Sequence, residues 1–126
     1  MFSRINLLAV ALSFMSLASA QNIGEGTYFA PGLGACGVFN TDADSIVAVS
    51  ATFFDTFPGA TANPNLNPVC NRQISITYAG ITVPAIITDK CPGCAGLYDL
   101  DMSPAVFNLL ADPAVGRLTG VAWEFV

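Results

Sequence analysis

The stretch TDKCPGCAGLYDLDMSP, residues 88–104, decides how the chain is read. It leaves a β-branched run, passes through Cys91-Pro92-Gly93-Cys94, and places Asp99 and Asp101 about Leu100 just before Ser103-Pro104. A thioredoxin-type CxxC needs its first cysteine at a helix N-terminus inside a βαβ unit. Here the motif follows a strand and enters a glycine-containing loop, with no alternation of strands and helices around it. A four-cysteine zinc site needs closely spaced pairs, and the remaining cysteines, Cys36 and Cys70, lie far apart. A disulfide closing a local loop is the reading left for Cys91 and Cys94. The chain has no histidine. That removes the Ser-His-Asp triad, the Cys-His dyad and His-ligated zinc together.

The acidic residues of this stretch are the candidates for chemistry. If residues 99–101 are extended, Asp99 and Asp101 point to one face, because side chains alternate along a strand. Neighbouring carboxylates repel, which raises one pKa and produces a general acid. The competing reading is structural, since aspartates near a helix start serve the dipole and the cap. Asp89 ends the preceding strand. Arg72 and Lys90 are expected to pair with these aspartates. Asp42 and Asp44 lack the glycine and the distal glutamate of a calcium loop, so they are assigned to a turn. No metal or cofactor site is expected.

Outward from this stretch, residues 73–78 alternate, Ala79-Gly80 forms a tight turn, and residues 82–88 make the return strand. Thr27-Tyr28-Phe29 is the expected first strand after a polar lead-in at 21–26. Residues 46–51 suit a buried strand and residues 121–126 a final one, with Trp123 in the core. Ser103-Pro104 opens the one convincing helix, with Ser103 as its cap and Val106, Phe107, Leu109 and Leu110 as its apolar face. Residues 58–68 hold three prolines, three asparagines and a glycine and read as a surface loop. Several short strands with one helix favour a small β-barrel.

Residues 1–20 read as a secretory signal peptide: Arg4, a short apolar run, then Ala18-Ser19-Ala20. The apolar run is shorter than a membrane span, so no membrane association is expected after cleavage. The domain is then 21–126, secreted and extracellular. In an oxidising compartment four cysteines form two disulfides, with three pairings open, and Cys36–Cys70 with Cys91–Cys94 is preferred. At 126 residues and net charge -5, the chain is one small acidic domain, which argues against nucleic-acid binding by a basic patch.

These residues together resemble the single-domain, expansin-like proteins called loosenins, in the wider RlpA-like and barwin-like group. The carriers are Gly26-Thr27-Tyr28-Phe29, Gly34-Ala35-Cys36-Gly37, Asn40 to Ser50, Cys70-Asn71-Arg72-Gln73-Ile74-Ser75-Ile76, Thr88-Asp89-Lys90-Cys91-Pro92-Gly93-Cys94, Asp99-Leu100-Asp101-Met102-Ser103-Pro104 with Phe107, and Trp123-Glu124-Phe125-Val126. The resemblance implies a six-stranded double-psi β-barrel, mainly β with one or two short helices. It implies a monomer that binds and loosens cell-wall polysaccharide, cellulose or chitin, through a shallow groove without hydrolysis. Asp101 matches the groove acid, Asp89 the aspartate of the preceding strand, and Thr27 and Tyr28 the groove residues of the first strand. Asp99 stands beside the motif. Cys91 replaces a groove tyrosine of some relatives, and Tyr98 is the nearby ring available to stack on a sugar. Glycoside hydrolysis needs two carboxyl groups. Thr27-Tyr28-Phe29-Ala30 has no acid where related endoglucanases carry one, so weak endoglucanase or lytic transglycosylase activity is the lesser expectation. Barwin-like protease inhibitors or defence-related effectors are the alternative from another class, with residues 58–68 as a binding loop.

Overall fold

The computed structural model describes residues 21–126; the expected signal peptide lies outside the described residues. Six strands close into a barrel: β1 (Asn22–Tyr28), β2 (Ile46–Ser50), β3 (Gln73–Tyr78), β4 (Ile81–Cys91), β5 (Leu100–Met102) and β6 (Leu118–Phe125), in the order β1-β5-β2-β4-β3-β6. Closure leaves no free sheet edge. The pairs β1–β5 and β2–β4 are parallel and the rest antiparallel. The mainly β, six-stranded barrel expected from the sequence is what forms.

The β3–β4 hairpin follows the alternation. Ile74 and Ile76 point inward, opposite Ala85 and Val83, and all four are buried. Its turn holds Ala79 at φ 50° and Gly80 at φ 83°. Two consecutive positive φ values match the right-handed twist of the flanking strands. Val47, Val49, Leu100, Met102, Leu118, Val121 and Trp123 join the core from the other strands, and Ile87 from the far end of β4. Trp123 is fully enclosed as expected, and its indole N–H donates to the Tyr98 carbonyl at 2.9 Å.

Four local expectations are corrected. The polar lead-in is strand: β1 begins at Asn22 and pairs with β6 from Asn22 onward. A five-residue helix, α1 (Ala51–Asp55), follows β2 directly. Ser50 caps it, accepting from Phe53 N at 3.1 Å, and its hydroxyl donates to Leu97 O at 2.8 Å. At α2 (Pro104–Leu110) Ser103 makes no side-chain cap. Its Oγ accepts instead from Ile46 N at 3.3 Å, tying the helix start to β2. Leu109 faces solvent at 57% exposure, so the buried face of α2 is Val106, Phe107 and Leu110.

The disulfides are Cys36–Cys70 and Cys91–Cys94, the preferred pairing. Two disulfides fit an oxidising compartment. Among the described residues no helix is long and apolar enough to cross a membrane.

Candidate functional site: a carboxylate row across four strands

The register of the barrel aligns four residues. Asp89 of β4 stands opposite Ala48 of β2, Ala48 opposite Asp101 of β5, and Asp101 opposite Thr27 of β1. Neighbouring strands lie about 4.8 Å apart, so Asp89 and Asp101 leave the sheet about 10 Å from one another. Ala48 between them has the smallest side chain of the row, and a larger residue there would fill the space between the carboxylates.

A bulge puts Asp89 in this row. Val47 pairs with Ile87 and Ala48 with Asp89, so Thr88 is an extra residue in β4. Such an insertion re-aims the side chain after it. Thr88 is buried, and its Oγ1 finds no hydrogen-bond partner among the described residues. Asp89 is then held by its Oδ1, which accepts from Ala35 N and Lys90 N, each at 2.8 Å. Its Oδ2 accepts no hydrogen bond among the described residues.

Gly34 allows the loop carrying Ala35 to come this close. A Cβ there would stand 2.5 Å from Thr88 O and 3.2 Å from Asp89 Cβ. Backbone cannot yield to it cheaply. Gly34→Ala is therefore expected to destabilise the fold by about 1–3 kcal/mol, measured as a shifted urea midpoint. An unshifted midpoint would show that the loop is not tightly seated.

Asp101 is the group whose chemistry the site changes. Its Oδ1 accepts from Thr27 Oγ1 at 2.8 Å, and Cys91 Sγ stands 3.9 Å from its Oδ2. The Cys91–Cys94 disulfide thus walls the row beside the acid. Burial raises the Asp101 pKa and the like charge of Asp89 adds to this; the Thr27 hydrogen bond and the Arg117 charge oppose. The repelling partner is Asp89, not Asp99.

A raised carboxyl pKa favours the protonated, folded form. The associated stability is present below the unfolded value of about 4 and is lost as pH rises through the folded value. Asp101→Asn, which cannot ionise, is accordingly expected to melt higher than the parent at pH 7 and to match it near pH 3. The same melting difference at both pH values would contradict the raised pKa.

Other predicted residues stand elsewhere. Asp99 is buried, with Oδ1 accepting from Glu25 N and Oδ2 from Gly96 N, at 2.9 and 2.8 Å. It ties the loop before β5 to β1. Tyr28 alternates with Thr27 and so leaves β1 on the other face. Its ring lies 4.7 Å from that of Phe107 and its hydroxyl donates to Pro113 O at 3.1 Å. Tyr98 packs among Phe53 and Trp123, with centroids 6.0 and 6.4 Å away. The expected pairing of Arg72 and Lys90 with the aspartates of the site does not occur. Lys90 pairs with Asp55 at 2.9 Å, and the Arg72 guanidinium lies over the Phe125 ring. Arg117, whose charge does reach Asp101, pairs with Glu25 at 2.7 Å; it lies outside every motif and carried no sequence signal. The Asp44 carboxylate accepts from Thr41 N and Asn40 Nδ2, which lowers its pKa and confirms the turn.

No protein-family model matches the chain. The chain is 34% identical over 106 residues to the papain inhibitor of Streptomyces mobaraensis, spanning 82% of this chain and 70% of the inhibitor. The solved structure of a Streptomyces papain inhibitor superposes with a TM-score of 0.75 at 33% identity, over 85% of this chain and 94% of that one. This chain belongs to the barwin-like, expansin-like family of double-psi β-barrels. An Arthroderma benhamiae homolog of the allergen Asp f 7 is 33% identical over 122 residues, spanning 86% of this barrel protein but 40% of the homolog. A Clavibacter michiganensis expansin, solved in complex with cellohexaose, shares the fold at a TM-score of 0.67 and 22% identity, covering 85% of the barrel and 50% of the expansin.

Proposed function

We propose that this family member is a secreted protein that binds wall polysaccharide along the Asp89–Ala48–Asp101–Thr27 row and loosens it without hydrolysis. The observation that carries the reading is the Thr27–Asp101 hydrogen bond at 2.8 Å, set across Ala48 from a second carboxylate. A protonated Asp101 donates to a glycan oxygen, and Thr27 holds its other oxygen in place. Asp89 Oδ2, which accepts no hydrogen bond from the described residues, accepts one from a sugar hydroxyl. Asp89 is fixed by two backbone N–H groups, which hold it in place to accept a hydrogen bond. Tyr28, Tyr98 and Asp99 belong to the frame of the groove in this reading. The Clavibacter expansin bound to cellohexaose supports the ligand class. Co-sedimentation with cellulose, chitin, xylan and peptidoglycan, with reducing ends assayed in parallel, tests it. Binding without sugar release is the expected result; release of reducing or anhydro ends would instead establish lytic activity.

A second reading is supported by the relative that this barrel matches over 70% of its length: inhibition of a papain-type cysteine protease. Titration of papain with the protein tests it.

A further inference from the structure

The two most exposed large apolar side chains among the described residues are Leu33 and Phe39, at 72% and 71%. They stand opposite one another in an isolated antiparallel bridge, outside the barrel strands. Hydrogen bonds flank the pair, Gly34 N to Val38 O and Asn40 N to Gly32 O, each at 2.9 Å. A pair in that position has closely spaced side chains on one face. The loop therefore presents a leucine and a phenylalanine side by side to solvent.

This loop is rigid. Cys36 at its tip is bonded to Cys70, and Cys36 N donates to Thr88 O at 3.1 Å. Ala35 N donates to Asp89. Gly34 is seated on the β4 backbone too closely for any Cβ. A segment ordered in advance loses little entropy when it binds. No burial in the barrel explains the two side chains, and the nearest charged residues on either side in sequence are Glu25 and Asp42. In a protein of net charge -5, residues 26–41 contain no charged residue, and neither do residues 56–71, the loop joined to it by the disulfide. The second loop exposes Leu66 at 67%, among Asn63, Asn65 and Asn67. Apolar anchors with an uncharged polar surround and no charged residue between them have the composition of a protein-binding surface. A polysaccharide-binding surface would call instead for the hydroxyl and carboxylate groups of the groove.

We infer that the Leu33–Phe39 loop, and not the carboxylate row, is the surface that engages a papain-type cysteine protease, with the two side chains filling an apolar pocket of its substrate cleft. This inference rests on the inhibitory reading, and it assigns that activity to a surface separate from the groove. The barrel then carries two binding surfaces, one acidic and one uncharged, joined at Asp89.

The test is the inhibition constant for papain acting on a fluorogenic peptide, measured for the parent, for Leu33→Ser/Phe39→Ser, and for Leu109→Ser/Val115→Ser. The last pair removes two exposed apolar side chains from the region of α2, at 57% and 56% exposure. Exposed positions tolerate such changes with little loss of stability, and thermal melts verify folding. The loop variant is expected to inhibit at least about 30-fold more weakly, as truncating buried interface anchors does. The α2 variant should match the parent. A folded loop variant that inhibits like the parent overturns the assignment of the surface and leaves the inhibitory reading intact. A parent that does not inhibit papain overturns that reading, and this inference with it.

Discussion

Converting Cys36 and Cys70 together to alanine is expected to lower the stability of the barrel by about 4 kcal/mol in the chain-entropy model. The bridge spans a sequence separation of 34 residues, which sets the entropy it removes from the unfolded chain. It also holds the Leu33–Phe39 loop to the loop of residues 56–71, so its loss releases both. For a domain near 100 residues, 1 kcal/mol corresponds to about 4–8 °C, so the melting temperature should fall by about 15–30 °C. The Cys91–Cys94 ring spans a separation of only 3 residues. The same model gives about 2 kcal/mol for it. Thermal melts of the two double-alanine variants check this, and equal losses would contradict the loop-length account.

Asp101→Asn is expected to abolish most of the fibre-weakening activity while the barrel stays folded. The amide still accepts from Thr27, and its NH2 group can donate a hydrogen bond, but it cannot pass a proton to the glycan oxygen as the carboxylic acid can. A hydrogen bond to a charged or charge-developing group is worth about 1.5–3 kcal/mol, which translates to a loss of about tenfold to a hundredfold. Weakening of filter-paper strips by equal concentrations of parent and variant measures it. The raised pKa gives the activity a sign with pH. If the protonated acid is the working form, parent activity falls as pH rises through that value, and the variant shows no such dependence. A variant as active as the parent removes Asp101 from the mechanism.

Much of the frame was legible because it is local. The β3–β4 hairpin follows from strict alternation and a two-residue turn, and Trp123 is in the core as its size and position imply. The CxxC motif read correctly as a short disulfide once its context excluded a helix N-terminus. Elements whose identity is decided by distant partners were not legible. Asn22–Tyr28 is rich in glycine and polar residues, yet it is strand because β5 and β6 flank it on both sides. The helix α1 is too short to show a period. Ser103 looked like a cap, but Ile46 N claims its hydroxyl.

The site divides along the same line. Thr27, Asp89 and Asp101 carried motif signals and do converge. What the sequence conceals is the row that joins them: Ala48 lies between the carboxylates only because β2 sits between β4 and β5, and Asp89 reaches the row only because Thr88 is inserted in β4. Proximity in sequence misplaced the like-charge pair, since Asp99 turns both oxygens to backbone N–H groups while Asp89 faces Asp101 across Ala48. It also suggested Tyr98 as a sugar platform, and the half-buried ring packs edge-on beside Trp123 and Phe53.

The central claim is that the row on β4, β2, β5 and β1 is a glycan-binding groove. Titration of the labelled protein with cellohexaose, followed by amide NMR shifts, tests it most directly. Saturable shifts centred on Thr27, Ala48, Asp89, Cys91 and Asp101 are expected, reaching Ala35 through its bond to Asp89 but absent at Leu33 and Phe39. Shifts centred elsewhere on the barrel, or none at saturating oligosaccharide, would contradict it.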